Sequence, residues 1–279
     1  MKNTPRKRVW RFLRRWIVLL GICYLVICLV MTFLENRLVF YPTPASAAWN
    51  EPPDPAIQDV FLRSPEGRKI HAWWLPRGPD APVLLLCPGN AGNLSGRGQT
   101  MLKMAERLNA SVLIFDYPGY GKSEGSPNEA ACYDAGESAI RWLRDEKNVP
   151  PERVTFYGES LGGGVATELA TRYPCRALVL VKTFTLLPAV AKSHYWWLPC
   201  HWLMSNRFDT VKKLPAIHCP VFIASATNDT IVPFHHGEMN FAAANEPKRF
   251  FRDEGSDHND PLPDELWSEL HDLLTTIKP

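Results

Sequence analysis

A glycine-rich segment in the middle of the chain constrains the fold more than any other stretch. Residues 154–157 form a short β-prone run that enters Gly-x-Ser-x-Gly at 158–162, and a helix-prone run follows. A turn this tight has no room for side chains two residues before and after the serine, and glycines occupy both places. The pattern predicts a nucleophile elbow with Ser160 at the carboxyl end of a central strand. The backbone N–H of Leu161, at the positive end of the helix, would then face a developing oxyanion. A glycine-rich turn with an incidental serine is the alternative.

Short apolar runs alternate with helix-prone segments through most of the chain. Such continuous runs are typical of buried parallel strands joined by crossover helices. Before them, residues 60–63 and 69–75 flank a Ser-Pro-Glu-Gly turn and predict a β-hairpin at an antiparallel edge of the sheet. We therefore expect an α/β domain at 57–279, with a mostly parallel, doubly wound sheet and its site at the carboxyl ends of the strands. The other predicted strands are 83–87, 112–116, 154–157, 177–181, 221–226 and 249–252.

The segment 183–215 interrupts this alternation. It is rich in aromatic residues, and two prolines prevent a single long helix. We expect a short cap-like insertion over the site, in which Trp196, Trp197 and Trp202 line an acyl or aryl pocket. Packing of these rings on the sheet as ordinary core is the alternative.

The positive charge of the chain is concentrated at its N-terminus. Seven of the 31 Lys and Arg residues lie at positions 1–15, which contain no acidic residue. The rest of the chain therefore has 24 basic and 29 acidic residues, and this balance does not suggest nucleic-acid binding. Residues 35–56 contain five prolines and predict an extended spacer before the domain.

Residues 16–34 predict a transmembrane helix. The run 17–34 has no charged residue, and as a helix it is about 27 Å long, close to the ~30 Å hydrocarbon core of a bilayer. The preceding charges predict that residues 1–15 are a cytoplasmic tail, which places the domain on the exoplasmic side, in a periplasm or a lumen. A cleaved signal peptide is the alternative, since Ala-Ser-Ala at 45–47 has the form of a cleavage site. The length of the run and its distance from that site favour a single-pass anchor.

Five cysteines lie outside the apolar run, at positions 87, 132, 175, 200 and 219. An odd number without paired spacing does not predict a disulfide framework, and no cluster of cysteines or histidines predicts a metal site. No phosphate-binding loop is present either, so we expect neither a metal nor a cofactor. Free cysteines fit a reducing compartment better than an exoplasmic one. We give the charge asymmetry more weight, because isolated buried cysteines persist as small hydrophobic residues.

A serine nucleophile needs a base and an acid that orients the base. Asp229 and His258 each follow a predicted strand, in loops at the same rim as Ser160. We expect His258 to take the serine proton and Asp229 to hold the imidazole in the correct tautomer. The other seven histidines do not follow a strand at the required place. Asp209 and Asp253 are alternatives for the acid.

The second oxyanion donor is expected in the loop after the first parallel strand. This loop, at 87–93, contains two glycines that permit a backbone N–H to point inward, and Asn90 is the natural candidate. A plain glycine-rich connection is the alternative.

Five short motifs occur one after another along the domain. They are Pro-Gly-Asn-Ala-Gly-Asn at 88–93, Phe-Asp-Tyr-Pro-Gly-Tyr-Gly-Lys-Ser at 115–123, Gly-Glu-Ser-Leu-Gly-Gly at 158–163, Asn-Asp-Thr-Ile-Val-Pro at 228–233 and His-Asn-Asp at 258–260. The set resembles the α/β-hydrolase superfamily, and within it the membrane-anchored α/β-hydrolase-domain proteins. The resemblance implies an α/β-hydrolase fold with Ser160 as nucleophile, Asp229 as acid, His258 as base, and Asn90 and Leu161 as oxyanion donors.

Two positions depart from the pattern of that family. Pro88 stands where the family usually has histidine, and Lys182 stands where it often has an acidic or small residue. These departures bear on the support of the oxyanion loop and on the polarity of the pocket.

The resemblance also implies a class of reaction, since members of this group hydrolyse ester, thioester and lipid acyl bonds. We expect a membrane-anchored serine hydrolase that acts on an acyl ester or thioester, with lipid-derived substrates included, through an acyl-Ser160 intermediate. A peptidase of the aminopeptidase type with the same triad, or a non-catalytic binding protein tethered to the membrane, are the alternatives.

Overall fold

An eight-stranded, mostly parallel β-sheet forms the centre of the molecule. A computed structural model describes residues 5–277, with side chains from residue 9 onward, so residues 1–4 of the predicted tail lie outside the described part. The strand order is β1-β2-β4-β3-β5-β6-β7-β8, in which β1 and β2 are antiparallel and the others run parallel. The strands are β1 (Gln58–Arg63), β2 (Lys69–Leu75), β3 (Val83–Cys87), β4 (Ser111–Phe115), β5 (Val154–Glu159), β6 (Ala177–Val181), β7 (Val221–Ala226) and β8 (Lys248–Asp253).

All eight strands lie within two residues of the sequence prediction. Continuous apolar runs predicted them well because every residue of β3, β4 and β6 is buried between two layers of helices. The helices are α1 (Pro5–Val39), α2 (Gly98–Arg107), α3 (Glu129–Lys147), α4 (Leu161–Arg172), α5 (Leu187–His194), α6 (Cys200–Leu203), α7 (Thr210–Lys213), α8 (His235–Ala243) and α9 (Asp264–Thr276). One face of the sheet packs on α3 and α4, and the other packs on α2 and α9. The predicted doubly wound architecture is confirmed.

Helix α1 contains the whole predicted segment 16–34 and extends beyond both of its ends. Its 35 residues correspond to a length of about 52 Å. Within Val9–Val39, an 18-residue window has a mean hydropathy of 2.9 and is only 6% buried. By length and composition, α1 is therefore a candidate membrane span.

The predicted extended spacer at 35–56 is wrong for its first residues, and the remainder is irregular, largely exposed backbone that contacts the domain at a few points. Residues 35–39 are the last turn of α1, and Phe40 is only 2% exposed, with its ring edge-on to Phe208 at 6.3 Å. Two of the prolines form β-bridges with glycines of the loops after β3 and β4. The abundance of proline correctly indicated irregular backbone, but irregular backbone can still pack on the domain.

The segment 183–215 lies between β6 and β7 and contains α5, α6 and α7. It packs along α1 as well as over the sheet. Cys28 of α1 forms a small apolar cluster with Leu198 and Cys200, and the Tyr24 hydroxyl donates to the carbonyl of Trp197 at 2.9 Å. We call this contact between α1 and segment 183–215 the helix–cap junction.

Two of the cysteines lie together, although all seven are free thiols. Cys175 precedes β6 and Cys219 precedes β7, and their Sγ atoms are 3.1 Å apart. Adjacent parallel strands bring these two positions together across 44 residues of sequence, so their spacing gave no sign of the contact.

Candidate active site

Ser160 occupies a strained turn between β5 and α4. Its backbone has φ 52° and ψ −117°, and its N–H donates to the carbonyl of Val181 at 2.9 Å. A positive φ at a residue other than glycine costs about 1–3 kcal/mol and persists only where the surroundings fix it. The structure therefore has the predicted strand–turn–helix geometry of a nucleophile elbow.

Three positions around Ser160 require glycine because neighbouring atoms lie too close for a side chain. A Cβ atom on Gly158 would lie 2.5 Å from the carbonyl oxygen of Gly162. A Cβ atom on Gly162 would overlap the carbonyl oxygen of Cys87, and one on Gly163 would overlap the side chain of Thr183. The sequence predicted the first two from the turn itself. The third depends on a neighbouring segment, so spacing alone could not assign it.

The structure brings Ser160, His258 and Asp229 into one continuous contact. His258 Nε2 lies 3.0 Å from Ser160 Oγ, and His258 Nδ1 lies 2.7 Å from Asp229 Oδ2. When Nδ1–H donates to the carboxylate, Nε2 is free to accept the serine proton. The other carboxylate oxygen of Asp229 accepts the backbone N–H groups of Ile231 and Val232 at 2.9 and 2.6 Å, which fixes its orientation.

The two alternative acids have other partners. Asp253 accepts the hydroxyl of Ser256 at 2.7 Å, and Asp209 accepts the backbone N–H of Lys212 at the start of α7. In the described part of the chain, neither carboxylate contacts His258.

The loop that bears His258 is held from two sides. Asp257 accepts the backbone N–H groups of Thr230 at 2.8 Å and His258 at 2.7 Å, and these hydrogen bonds lower the pKa of Asp257. Buried Lys182 donates through Nζ to the carbonyls of Asp257 and Asp260 at 2.8 and 2.9 Å. The charge of Lys182 thus lies beneath this loop. The sequence identified Lys182 as a departure from the family but could not indicate this contact.

The oxyanion loop is supported without the usual histidine. The Tyr117 hydroxyl donates to the carbonyl of Pro88 at 2.8 Å, and Arg97 donates to the carbonyl of Gly89 at 3.3 Å. The N–H of Leu161 is at the first position of α4, where a helix supplies no partner for it. This leaves the N–H of Leu161 available to an oxyanion.

The side chain of Asn90 links the same loop to the end of α1. Its Oδ1 accepts the hydroxyl of Tyr120 at 2.7 Å and the backbone N–H of Tyr41 at 3.2 Å, and its Nδ2 donates to the carbonyl of Val39. Both ends of the amide side chain are therefore engaged in hydrogen bonds. The backbone N–H remains the group of Asn90 that suits the predicted oxyanion role.

A cleft of about 570 Å³ opens above Ser160 and His258. The inner face of α5 and the last residues of α1 form much of its wall. Arg97 and Glu159 form an ion pair of 3.4 Å at its edge. Of the residues that line the described cleft, Glu159 alone carries a carboxylate.

The predicted pocket role of the three tryptophans is wrong. Trp196 and Trp202 are 80% and 84% exposed and Trp197 is 43% exposed, and none of them lines the cleft. Their alternative assignment to the core is excluded by the same exposures. The adjacent helix α5 presents smaller apolar residues to the cleft, namely Leu187, Val190 and Ala191. Aromatic content indicated an unusual segment, but it could not show which side of an irregular segment faces the sheet.

Between residues 5 and 277, no group of three or more His, Cys, Asp or Glu side chains is placed to hold a metal ion.

Comparison with known proteins identifies the family. The model of a family described as alpha/beta hydrolase fold matches residues 82–199. An uncharacterized protein of Mycobacterium tuberculosis (strain CDC 1551 / Oshkosh) is 36% identical over 252 residues, which is 88% of this chain and 89% of that protein. The alpha/beta hydrolase domain-containing protein 17B of Homo sapiens is 31% identical over 206 residues, which is 74% of this chain and 70% of that protein. The chain belongs to the α/β-hydrolase family.

Solved structures show the same α/β-hydrolase fold. An esterase from Pyrococcus furiosus superposes with a TM-score of 0.71 at 16% identity, covering 86% of this chain and 97% of the esterase. An acetyl xylan esterase from Paenibacillus sp. R4 superposes with a TM-score of 0.66 at 19% identity, covering 82% of this chain and 87% of that protein. These likenesses confirm the predicted fold of this α/β hydrolase.

Proposed function

We propose that this α/β hydrolase is a membrane-anchored serine hydrolase that cleaves carboxylic ester or thioester bonds. The observation that carries the proposal is the continuous contact from Ser160 through His258 to Asp229. The family and its esterase neighbours support a hydrolase in general. The nucleophile and the acyl substrate are inferred from the geometry of the site.

The reaction proceeds in two steps through an acyl-enzyme. Ser160 Oγ attacks the acyl carbon while His258 Nε2 takes its proton, and the N–H groups of Leu161 and Asn90 stabilise the oxyanion. His258 then gives that proton to the leaving alcohol or thiol as the carbon–oxygen or carbon–sulfur bond breaks. In the second step water gives a proton to His258 and attacks the acyl carbon, and His258 returns that proton to Ser160 Oγ as the bond between Oγ and the acyl carbon breaks, which releases the acid. Asp229 stabilises the imidazolium in both steps.

The walls of the cleft favour an acyl substrate over an aminoacyl one. An aminopeptidase needs a free carboxylate to hold the α-ammonium group of its substrate. Glu159 is the carboxylate among the described lining residues, and it is paired with Arg97. The wall formed by Phe184, Leu187 and Val190 suits an aliphatic chain instead.

A fluorophosphonate probe tests the nucleophile. It should label the full-length protein and should not label Ser160→Ala, while Ser268→Ala, at an exposed serine of α9, should be labelled like the wild type. Labelling of Ser160→Ala would contradict the proposed nucleophile. A folded wild-type protein that is neither labelled nor active would support the non-catalytic alternative.

A substrate panel tests the bond that is cleaved. We expect hydrolysis of p-nitrophenyl acyl esters and acyl thioesters, and little or no hydrolysis of aminoacyl anilides. Preferential cleavage of the anilides would favour the peptidase alternative.

Contacts at the end of α1 favour a retained anchor over a cleaved signal peptide. Leu38, Val39 and Tyr41 line the cleft, and Glu35 is buried against the cap-like segment. Cleavage after Ala47 would remove all four of these residues. We therefore propose that α1 stays in place, with the basic N-terminus in the cytoplasm and the catalytic domain on the exoplasmic side.

Two measurements test this topology. An alkaline phosphatase reporter fused after Pro279 should be active, and one fused at the N-terminus should be silent. In an exoplasmic domain, a thiol–disulfide oxidase has access to the facing thiols of Cys175 and Cys219, so these should be oxidised in isolated membranes while buried Cys132 stays reduced. The reverse reporter pattern with a fully reduced pair would place the domain in the cytoplasm.

A further inference from the structure

A second cavity lies next to the catalytic cleft, within the helix–cap junction. It has a volume of about 100 Å³ and is bounded by α1 on one side and by α5 and α6 on the other. Its lining shares five residues with the cleft, and we call it the junction groove. The shared residues are Leu38, Val39, Ala191, Tyr195 and Met204. Because these residues line both spaces, the junction groove directly adjoins the cleft above Ser160.

Apart from Glu35, the lining that the junction groove does not share with the cleft is apolar. Met31, Leu198 and Leu203 contribute side chains that belong neither to the catalytic cleft nor to the triad. Such a lining offers few partners to a water molecule or a polar ligand, and it suits an aliphatic ligand.

The one carboxylate of the junction groove is already satisfied. Glu35 is 6% exposed, and its Oε2 accepts the backbone N–H and the hydroxyl of Ser205 at 2.9 and 2.7 Å. Its Oε1 accepts the backbone N–H and the side-chain amide of Asn206 at 2.8 and 2.9 Å. The carboxylate therefore fixes α1 against the cap-like segment, and a ligand in the groove does not have to neutralise it.

We propose that the junction groove binds the distal part of the substrate's acyl chain, so that this hydrolase acts on medium- or long-chain acyl esters or thioesters. The inference rests on the proposed acyl transfer to Ser160. The carbonyl carbon lies at Ser160 Oγ, and the chain runs past Val39 and Ala191 towards Met31 and Leu203. Met31 belongs to the predicted transmembrane segment 16–34, so the groove extends to the part of α1 that enters the bilayer.

Chain-length dependence is the expected signature of this site. Each methylene group moved from water into an apolar groove contributes about a fourfold gain in binding. The specificity constant kcat/KM of the full-length protein should therefore rise from p-nitrophenyl acetate to p-nitrophenyl octanoate and level off at longer chains. A cleft that ended at the triad would show little gain beyond the shortest esters.

Filling the groove tests the assignment directly. Leu203→Trp places a larger side chain in the groove, away from Ser160, and it should lower the octanoate-to-acetate ratio of kcat/KM by at least about tenfold. Met239→Trp introduces the same residue at an exposed site of α8 outside both cavities, and its ratio should equal that of the wild type. Leu203→Ala enlarges the groove and should move the preferred chain length upward, which gives a second result if Leu203→Trp does not fold.

The outcomes separate this inference from the proposed function. If Ser160 is labelled by fluorophosphonate but neither Leu203 variant changes the ratio, the groove assignment is overturned and the serine hydrolase stands. If Met239→Trp changes the ratio as much as Leu203→Trp, the assignment is overturned as well. If the folded wild type is not labelled and hydrolyses no ester of any length, the proposed function itself has failed.

Discussion

The catalytic rim and the helix–cap junction are built in different ways. At the rim, Ser160, Asp229 and His258 lie one, three and five residues past the ends of their strands, so the sheet brings them to the same edge and local hydrogen bonds fix the His258 loop there. At the junction, α1 meets segment 183–215 through contacts between residues about 170 positions apart in the sequence. The residues of the proposed chemistry are therefore encoded in short local motifs. The shape of the cleft depends on contacts between residues far apart in the sequence, and no local motif predicts these contacts.

The two regions should consequently respond differently to substitution. Changes at the rim should remove activity from a folded protein. Changes at the junction should alter stability or chain-length preference while the chemistry stays intact.

The largest effect is expected at the orienting acid of the rim. Asp229→Asn should lower kcat by about 10⁴-fold, because an amide no longer selects the tautomer in which Nε2 accepts the serine proton. Stopped or continuous p-nitrophenyl ester assays measure the loss. Asp209→Asn is the matched control, since asparagine is an equally good helix cap at the start of α7. A large fall of kcat in Asp209→Asn with a small fall in Asp229→Asn would assign the role of the acid to Asp209 instead.

A smaller but still large effect is expected beneath the His258 loop. Lys182→Met removes two hydrogen bonds to carbonyls of that loop and leaves the carboxylate of Asp253, 3.8 Å away, without its cation. We expect a loss of about 3–5 kcal/mol in the free energy of unfolding. We also expect a fall in kcat with little change in KM, because Lys182 does not line the described cleft.

Lys212→Met, at an exposed lysine, is the control for Lys182→Met. Its free energy of unfolding should stay within about 0.5 kcal/mol of the wild-type value. A Lys182→Met protein with a raised KM and normal kcat would show that Lys182 acts on substrate binding rather than on the position of His258.

The comparison also explains which features could be read from the sequence. Strands such as β3 and β6 were predicted because a strand buried on both faces must be apolar throughout. The contact among Ser160, Asp229 and His258 could be predicted because each lies in a loop next to such a strand. In these cases a local pattern and the structural role coincide.

Features that depend on distant partners could not be read in this way. The exposed position of Trp202, the engaged side chain of Asn90 and the contact between Cys175 and Cys219 are all set by segments far away in sequence. Glu35 was assigned to a spacer because nothing nearby indicates that Ser205 and Asn206 surround it. Hydrophobicity and spacing indicate which type of element a segment forms. They do not indicate which distant segment it packs against.

At the junction, Glu35→Ala tests whether one carboxylate holds α1 to the cap-like segment. The change leaves the buried backbone N–H of Asn206 and the part-buried backbone N–H of Ser205 without their acceptor, and we expect a loss of about 3 kcal/mol in the free energy of unfolding. For a domain of this size the midpoint of thermal unfolding should fall by about 6–12 °C. Glu51→Ala, at an exposed glutamate, is the control, and it should shift the midpoint of thermal unfolding far less than Glu35→Ala does. Equal midpoints for the two variants would mean that the junction does not depend on this carboxylate.

The smallest effect is expected from His236, which joins the two regions. Its Nδ1 accepts the backbone N–H of Thr185, at the start of the cap-like segment, and lies 2.8 Å from the Thr185 hydroxyl. Burial, reinforced by the neighbouring His235, lowers the pKa of His236 to about 4, against a smaller opposite effect of Asp229. The imidazole of His236 therefore binds a proton less readily in the folded protein than in the unfolded chain. Its contribution to the free energy of unfolding is complete above pH 6.5 and is lost as the pH falls towards 4.

His236→Asn keeps an acceptor near Thr185 but removes the titration. Between pH 8 and pH 5, we expect the wild type to lose about 1–2 kcal/mol more free energy of unfolding than His236→Asn loses. Denaturant unfolding at the two pH values measures this difference, in which the contributions of the other titrating groups cancel. His218→Asn, at an exposed histidine, should follow the wild type. Equal losses of the free energy of unfolding in all three proteins would show that protonation of His236 does not weaken its contact with Thr185. The contact would then not depend on pH in this range.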